Sequence, residues 1–341
     1  MTGKKRQGLG AAGKILLILA AALCYFAAVK TYFSMEKNEV ATVYLSASYP
    51  GRDAVQAILE NCQEDGEITD VCFYWDGGVQ TVENPGYVRQ AQVQVTGLTG
   101  DASLYDWRGA SLGDEDREGC VIDRETALEL FGTENCVGNT LTLGEESYTV
   151  RRVTDWGQHV LLIHPTDREC VYSRVFIRPQ KGETKENAAS RFLMGYGLSG
   201  SLVDDDWLDQ TALASLALFP AAALLGFWRF AEEKRKGGAK RTLGYYLWLG
   251  AEVLAAAAVL FAVIKCVQIP ADWIPDKWSN FRFWGEKLSQ ERENLGWYLM
   301  LPKTVPQAER LMQAVRCMAG GAGSVLLLLA ARPWNMPLNR V

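Results

Sequence analysis

The sequence predicts an α+β extracytoplasmic domain inserted after the first of four transmembrane helices, with an all-α membrane domain completing the chain. Three features lead there. The 341 residues contain four separate apolar runs, near 15–29, 211–230, 243–267 and 319–331. Acidic and basic residues are segregated along the chain. The acidic block alternates between period-two and helical apolar spacing, the mark of a mixed sheet-and-helix domain.

A spanning helix needs about 20 mostly apolar residues, because the hydrocarbon core is ~30 Å thick and each helical residue rises about 1.5 Å. The second and third runs meet this length outright. Lys14 and Lys30 extend the first by snorkelling, and the helical stretch ERLMQAVRCM extends the last. Lys4, Lys5, Arg6 and Lys14 precede the first run, and Arg229, Lys234, Arg235, Lys236, Lys240 and Arg241 lie between the second and third. Short cytoplasmic segments collect Lys and Arg, so the N-terminus and residues 231–242 belong inside. Residues 31–210 carry 14 Lys and Arg against 31 Asp and Glu, a net of −17, and face outward. The chain thus divides into a basic cytoplasmic start with the first helix (1–35), the outer domain (36–208) and a membrane domain (209–341) containing an outer aromatic loop, 268–318. The location implied is the cell membrane. A cleaved signal peptide or a lipoprotein signal ending at Cys24 is the competing reading of the first run; Leu23 argues against the lipoprotein, whose processing site has a small residue there.

Within the outer block, ATVYLSA reads as a strand and PGRDAVQAILENC as a helix with Ala54, Val55, Ile58 and Leu59 on one face. ITDVCFYW and GYVRQAQVQVTGL are strands, the second alternating through Val88, Ala91, Val93 and Val95. CVID is a short strand, after which Asp123 caps the helix RETALELF, with Leu128 and Phe131 toward the core and Gly132 ending it. TLTL and SYTV form a hairpin through Gly144, and RRVTDW, HVLLIH and CVYSRVFIRP are further strands before the helix ETKENAASRFLMGYG.

Nothing in this pattern supports an enzyme. GLGAAGK, Gly8–Lys14, has the letters of a P-loop, but Ile15 stands where a Mg²⁺-binding Ser or Thr is needed, and the helix that follows is apolar. His159 and His164 lie in strand-rich sequence, and Ser111, Ser147 and Ser173 have no G-x-S-x-G context. The eight cysteines show no C-x-x-C spacing, and Asp204, Asp205, Asp206 and Asp209 lack the spacing of a Ca²⁺ loop, so no metal or bound cofactor is expected. No nucleic-acid partner is expected either. The segment Ile269–Trp284 is the most aromatic, and Trp273, Trp278, Phe281 and Trp284 are candidate anchors at the lipid headgroup level. Gly320, Gly321, Gly323 and Ser324 mark a face on which another helix could pack closely.

The stretch from Val121 to Val153 resembles the end of the periplasmic core domain of MacB/FtsX-like ABC transporter permeases. The resemblance rests on Val121, Ile122, Ala127, Leu130, Phe131, Gly132, Gly138, Leu141, Leu143, Tyr148, Val150 and Val153, and on the order of one span, a large outer domain and three spans. It implies a permease-type subunit that works as a homo- or heterodimer with another permease and couples a cytoplasmic ATPase, which would bind the ATP, to the outer domain. In that role Lys234, Arg235, Lys236, Lys240 and Arg241 are the candidate ATPase contacts. Two departures from the family pattern stand out: the inner connection Phe230–Gly244 is short and carries Gly237 and Gly238, and the outer loop after the third span is long. They motivate an alternative, a membrane-anchored sensor or scaffold that has lost coupling to an ATPase.

Overall fold

The computed structural model describes residues 11–35, 39–47, 49–65, 70–106, 112–113, 116–166, 169–203, 205–237, 243–266 and 282–331. It comprises two compact units: one holds residues 38–205 together with 302–309, the other residues 1–37, 206–301 and 310–341.

The first unit is built on nine strands: β1 (Ala41–Leu45), β2 (Val71–Asn84), β3 (Arg89–Gly100), β4 (Gly119–Asp123), β5 (Thr140–Leu143), β6 (Glu146–Thr154), β7 (Val160–Ile163), β8 (Arg174–Ile177) and β9 (Gly200–Val203). They pair in the order β3-β7-β4-β6-β5-β2-β8-β1-β9, and β3 also pairs with β2, so six strands close a circuit while β8, β1 and β9 extend from it. The long β2–β3 hairpin joins both parts. Its turn explains one departure from the expected pattern: Val88 is 94% exposed with φ 50°, whereas Ala91, Val93 and Val95 are buried. Strands β4 and β7 are buried on both faces. Cys120, Ile122, Leu161 and Ile163 enter one apolar cluster, and Val121, Val160 and Leu162 enter another. That is the structural meaning of their unbroken apolar sequence, since alternate residues of a strand face opposite sides. A third cluster packs Val55, Ile58 and Cys62 of helix α2 (Arg52–Asp65) with Ala188, Ala189 and Phe192 of helix α4 (Lys185–Gly195) over β1 and β8.

Helix α3 (Arg124–Phe131) lies between β4 and β5, starts at Asp123 and ends at Gly132, whose φ of 73° is the left-handed conformation that closes the helix. Its inward residues are Thr126, Ala127 and Leu130, while Leu128 is 43% exposed, so the expected core role of Leu128 is corrected. Leu130 lies three residues from Ala127, the spacing that keeps two side chains on one helix face, and Leu128 turns about 100° away from Ala127. SYTV and RRVT, expected as separate strands, form the single strand β6, which β5 pairs at its start and β4 pairs in parallel from Thr149 to Thr154.

The second unit is helical: α1 (Ala11–Ser34), α5 (Asp206–Gly237), α6 (Leu243–Cys266), α7 (Arg282–Met300) and, from Arg310 onward, α8 (Val305–Ala331). Among the described residues, the helices Ala12–Ser34, Asp206–Trp228 and Val305–Ala331 are long and apolar enough to cross a membrane. Helices α1, α5 and α8 meet around Ala28, Ala212, Leu216 and Cys317. The small residues of α8 allow this. A Cβ on Gly320 would come within 2.9 Å of Ala28 on α1, and one on Gly321 within 2.9 Å of the Ser215 carbonyl on α5. Gly323 has open space and takes no part. Asp209 of α5 and Arg310 of α8 form an ion pair at 2.7 Å, with the Arg310 side chain 9% exposed. The outer segment 268–318, expected as an aromatic loop, carries all of α7, which the Lys287–Glu291 ion pair, 3.1 Å and one turn apart, supports, while the helix expected to follow Thr304 into the last apolar run is α8.

Candidate functional site

A convergence of buried polar groups lies in the sheet unit, where the segment 302–309 joins its core. Thr304 is the N-cap of α8 and Gln307 is the third helical residue, a T-x-x-Q capping box. The Thr304 hydroxyl accepts from the Gln307 N–H at 3.4 Å, and Gln307 Oε1 accepts from the Thr304 N–H at 3.0 Å. Both side chains are buried. The box is read by a residue far away in sequence: the Tyr44 hydroxyl lies 3.0 Å from Gln307 Oε1 and 2.8 Å from the Pro302 carbonyl, either of which can accept its proton. Val305 enters the apolar cluster of Tyr74, Tyr105, Trp156 and Phe176, and its backbone hydrogen-bonds the Tyr105 hydroxyl.

Beside this segment, strand register assembles an aromatic–cation row. Arg174 on β8 stands directly opposite Tyr44 on β1 and Tyr74 on β2. Residues opposite each other on neighbouring strands bring their side chains together on one face, and the guanidinium lies 4.7 Å from the Tyr44 ring centre and 4.5 Å from that of Tyr74. Such stacking on ring faces is favourable, by ~2 kcal/mol when desolvated. Arg174 is only 2% exposed, and burial raises the pKa of both tyrosines, the Arg174 charge opposing the shift. Lys303 lies near enough that burial, first, and the Arg174 charge, second, push its amine below the usual lysine range.

Gln307→Ala removes the side-chain half of the box and one of the two Tyr44 acceptors, and is expected to destabilise the sheet unit by about 1–2 kcal/mol; Tyr44→Phe is expected to cost about 1 kcal/mol. Because both act on one hydrogen bond, the double variant should cost less than the sum in chemical denaturation of the full chain. Strict additivity would contradict the coupling.

A second grouping surrounds the start of α3. Asp123, Glu125 and His159 each place one possible ligand atom within 4.8 Å of the others. The Asp123 carboxylate, however, already accepts from the N–H groups of Glu125 (2.9 Å), Thr126 (3.2 Å) and Val160 (3.2 Å) and from the Thr126 hydroxyl. His159 Nε2 lies 3.7 Å from Glu125 and Nδ1 3.8 Å from Glu129, ion pairs that exist only with the ring protonated. The grouping is thus organised by helix capping. His164 is fully buried, with Nδ1 2.6 Å from the Leu98 carbonyl and Nε2 2.9 Å from the Gly113 carbonyl, and it braces β7 to β3.

Of the residues expected to face an ATPase, Lys234, Arg235 and Lys236 fall in the last turns of α5, while Lys240 and Arg241 lie outside the described residues. Among the expected headgroup anchors, Trp284 is in the first turn of α7, 40% exposed and edge-on to Phe283. Trp273, Trp278 and Phe281 lie outside the described residues. The structure brings together a set that sequence reasoning missed: Tyr44, Tyr74, Arg174, Lys303 and Gln307. The available signal was Arg174 itself, a lone cation inside the apolar strand segment VYSRVFI.

No family model matches the chain, and no curated relative does. Among solved structures, the chain is similar to the periplasmic region of MacB from Actinobacillus actinomycetemcomitans, with TM-score 0.41 and 11% identity over 54% of this chain and 97% of that one. It is also similar to the extracellular domain of the noncanonic ABC-type transporter YknZ from Gram-positive bacteria, with TM-score 0.36 and 12% identity over 48% of this chain and 99% of that one.

Proposed function

We propose that this chain is a permease-type membrane subunit of a MacB/FtsX-like ABC transporter system, which couples a cytoplasmic ATPase to an extracytoplasmic domain for efflux or mechanotransmission. The observation that carries the reading is the course of α8. One continuous helix begins among core residues of the sheet unit, through Val305 and Gln307, and is long and apolar enough to cross a membrane. A displacement of that helix cannot leave the sheet unit unaffected while the Tyr44–Gln307 bond and the Val305 packing persist. The resemblance of residues 121–153 to the family's core domain adds to this, since those residues form the strand, capped helix and hairpin that it implies.

In this reading four helices (α1, α5, α6 and α8) span the cell membrane, the N-terminus is cytoplasmic and residues 38–205 lie outside. The partner ATPase binds ATP and contacts Lys234, Arg235, Lys236, Lys240 and Arg241, and a second permease subunit, identical or different, completes the assembly. Trp273, Trp278, Phe281 and Trp284 sit at the headgroup level. No step of the cycle needs a catalytic group or a metal from this chain.

A second reading, a membrane-anchored sensor or scaffold without ATPase coupling, draws on the inner connection. Helix α5 ends at Gly237, and Gly238 follows, where the family's pattern has a coupling helix; each glycine within a helix costs ~1 kcal/mol relative to Ala. Affinity purification of the tagged full chain from detergent-solubilised membranes separates the two readings. Recovery of a nucleotide-binding ABC subunit in comparable amount is expected, and folded chain repeatedly recovered without one would refute the permease reading.

A further inference from the structure

Helix α7 combines charge and exposed apolar surface in a way that neither a membrane span nor a surface helix in water requires. Arg282, Lys287 and Arg292 stand against Glu286, Glu291 and Glu293 within 19 residues, too many charges for a helix that crosses lipid. At about 100° per residue, however, Trp284, Leu288, Leu295 and Leu299 fall within an arc of about 60° and form an apolar stripe along its length. Leu288 is 59% exposed, Leu295 39% and Leu299 57%. Glu286, Ser289, Gln290 and Glu293 lie on the opposite side, all exposed. Between the two, Lys287 pairs with Glu291 and Tyr298 is buried, so that sector faces the protein. The Tyr298 ring meets the Trp207 ring edge-on at 5.6 Å. Trp207 is the second residue of α5, whose stretch Asp206–Trp228 is long and apolar enough to cross a membrane. Aromatic residues with a polar tip at the end of a span mark the headgroup level, so the last turn of α7 is fastened where the bilayer begins. In that turn the apolar surface runs all round, since Trp297 and Met300 are exposed beside Leu299.

We propose that α7 is an interfacial helix that lies along the outer surface of the bilayer, with Leu288, Leu295 and Leu299 immersed in lipid and its polar side in water. The occupant of the stripe is the membrane because the Trp207–Tyr298 contact sets its level, and at that level an apolar stripe meets the edge of the hydrocarbon. The three sectors of the helix match the three surroundings found there: protein at Tyr298, lipid at the leucines and water at Glu286 and Glu293. Its last turn, apolar on every side, enters deepest. The three basic and three acidic residues of α7 cancel, so apolar burial carries the binding and an uncharged lipid surface suffices. The inference rests on the reading of α5 as a membrane span with its first residues outside; it does not require coupling to an ATPase.

The test is photo-crosslinking of the full chain, with p-benzoylphenylalanine placed singly at Leu288 or Leu295 on the stripe, at Ser289 or Glu293 opposite, and at Leu23 of α1. All five positions are exposed, so the photoreactive side chain displaces no core residue. Membranes of expressing cells are irradiated, and adducts are sorted by mass into phospholipid and protein. Phospholipid adducts at Leu288 and Leu295 are expected to exceed those at Ser289 and Glu293 by about tenfold, because only the apolar face of an interfacial helix is immersed. A protein adduct at both stripe positions in place of lipid would overturn the proposal and assign the stripe to a partner subunit. Equal lipid labelling of all four α7 positions, or none at any, would overturn it too, provided that Leu23 is labelled. Without lipid adducts at Leu23, which is 70% exposed on an apolar helix of spanning length, the membrane reading itself fails and takes the proposal with it. The purified chain in vesicles tests the charge argument: labelling at Leu288 should agree within about twofold between pure phosphatidylcholine and mixtures with phosphatidylglycerol. Labelling that appears only with the anionic lipid would contradict binding by apolar burial.

Discussion

Replacing Asp123 by alanine is expected to cost the sheet unit about 3–5 kcal/mol, well above the ~1 kcal/mol typical of a lost helix cap. The excess follows from its position. The residue is fully buried, and its carboxylate serves the first turn of α3 through Glu125 and Thr126 and also the first residue of β7 through the Val160 N–H. Truncation strands three backbone donors, of which those of Thr126 and Val160 are buried, and each buried unsatisfied donor costs about 1–3 kcal/mol. Asp123→Asn keeps an oxygen acceptor and should recover roughly half of the loss. Denaturant titration of the full chain in detergent reads both variants; an alanine variant within about 1 kcal/mol of the parent would show that the three bonds do not act together.

Gly100→Ala should be comparably damaging, at about 3 kcal/mol or more, because two independent penalties add. At φ 101° the residue sits where a side chain is strained whatever its surroundings, which costs about 1–3 kcal/mol. A Cβ there would also lie 2.2 Å from the Val71 carbonyl oxygen, far inside contact distance. That carbonyl is fixed: it accepts from the Asp101 N–H at 3.1 Å, and Val71 begins β2. Relief would have to come from backbone movement at the end of the β2–β3 hairpin that joins both parts of the sheet. Thermal unfolding with Gly138→Ala as a control makes the comparison: Gly138 also has positive φ but open space around its Cβ, so it isolates the conformational penalty. Equal losses in the two variants would remove the clash from the explanation.

Local chemistry made residues 120–150 readable. Asp123, Gly132 and Gly144 are capping and turn residues whose roles depend on the few residues around them, and the structure places each as its type requires. Phase and continuity were harder. Leu128 and Leu130 are chemically alike, and only the packing of α3 decides that Leu130 is covered and Leu128 is not. Strand β6 runs unbroken through Val150 and Arg151 because different neighbours, β5 and β4, pair with successive parts of it, which no local pattern discloses. The site was the least legible part. Tyr44 meets Gln307 across 263 residues of sequence. Arg174 gains its two ring partners from the register of three strands, so a buried arginine in an apolar strand could be noticed, but its environment could not be named. Helix α7 was hidden by the aromatic residues before it, which read as an interfacial loop.

The proposed role depends on whether ATP hydrolysis on the inner side is felt by this chain through the connection after α5. The most direct measurement is ATP turnover of the co-purified complex reconstituted in vesicles, comparing the parent with a Lys234→Ala, Arg235→Ala, Lys236→Ala triple variant. These residues lie in the last turns of α5 and are none of the core residues of the sheet unit, so the variant should keep that unit's fold. If this chain is a coupled permease subunit, turnover falls by about tenfold, equivalent to ~1.4 kcal/mol of lost coupling. Turnover unchanged, in a complex that retains the ATPase and an intact sheet unit, would contradict that account and favour the uncoupled scaffold.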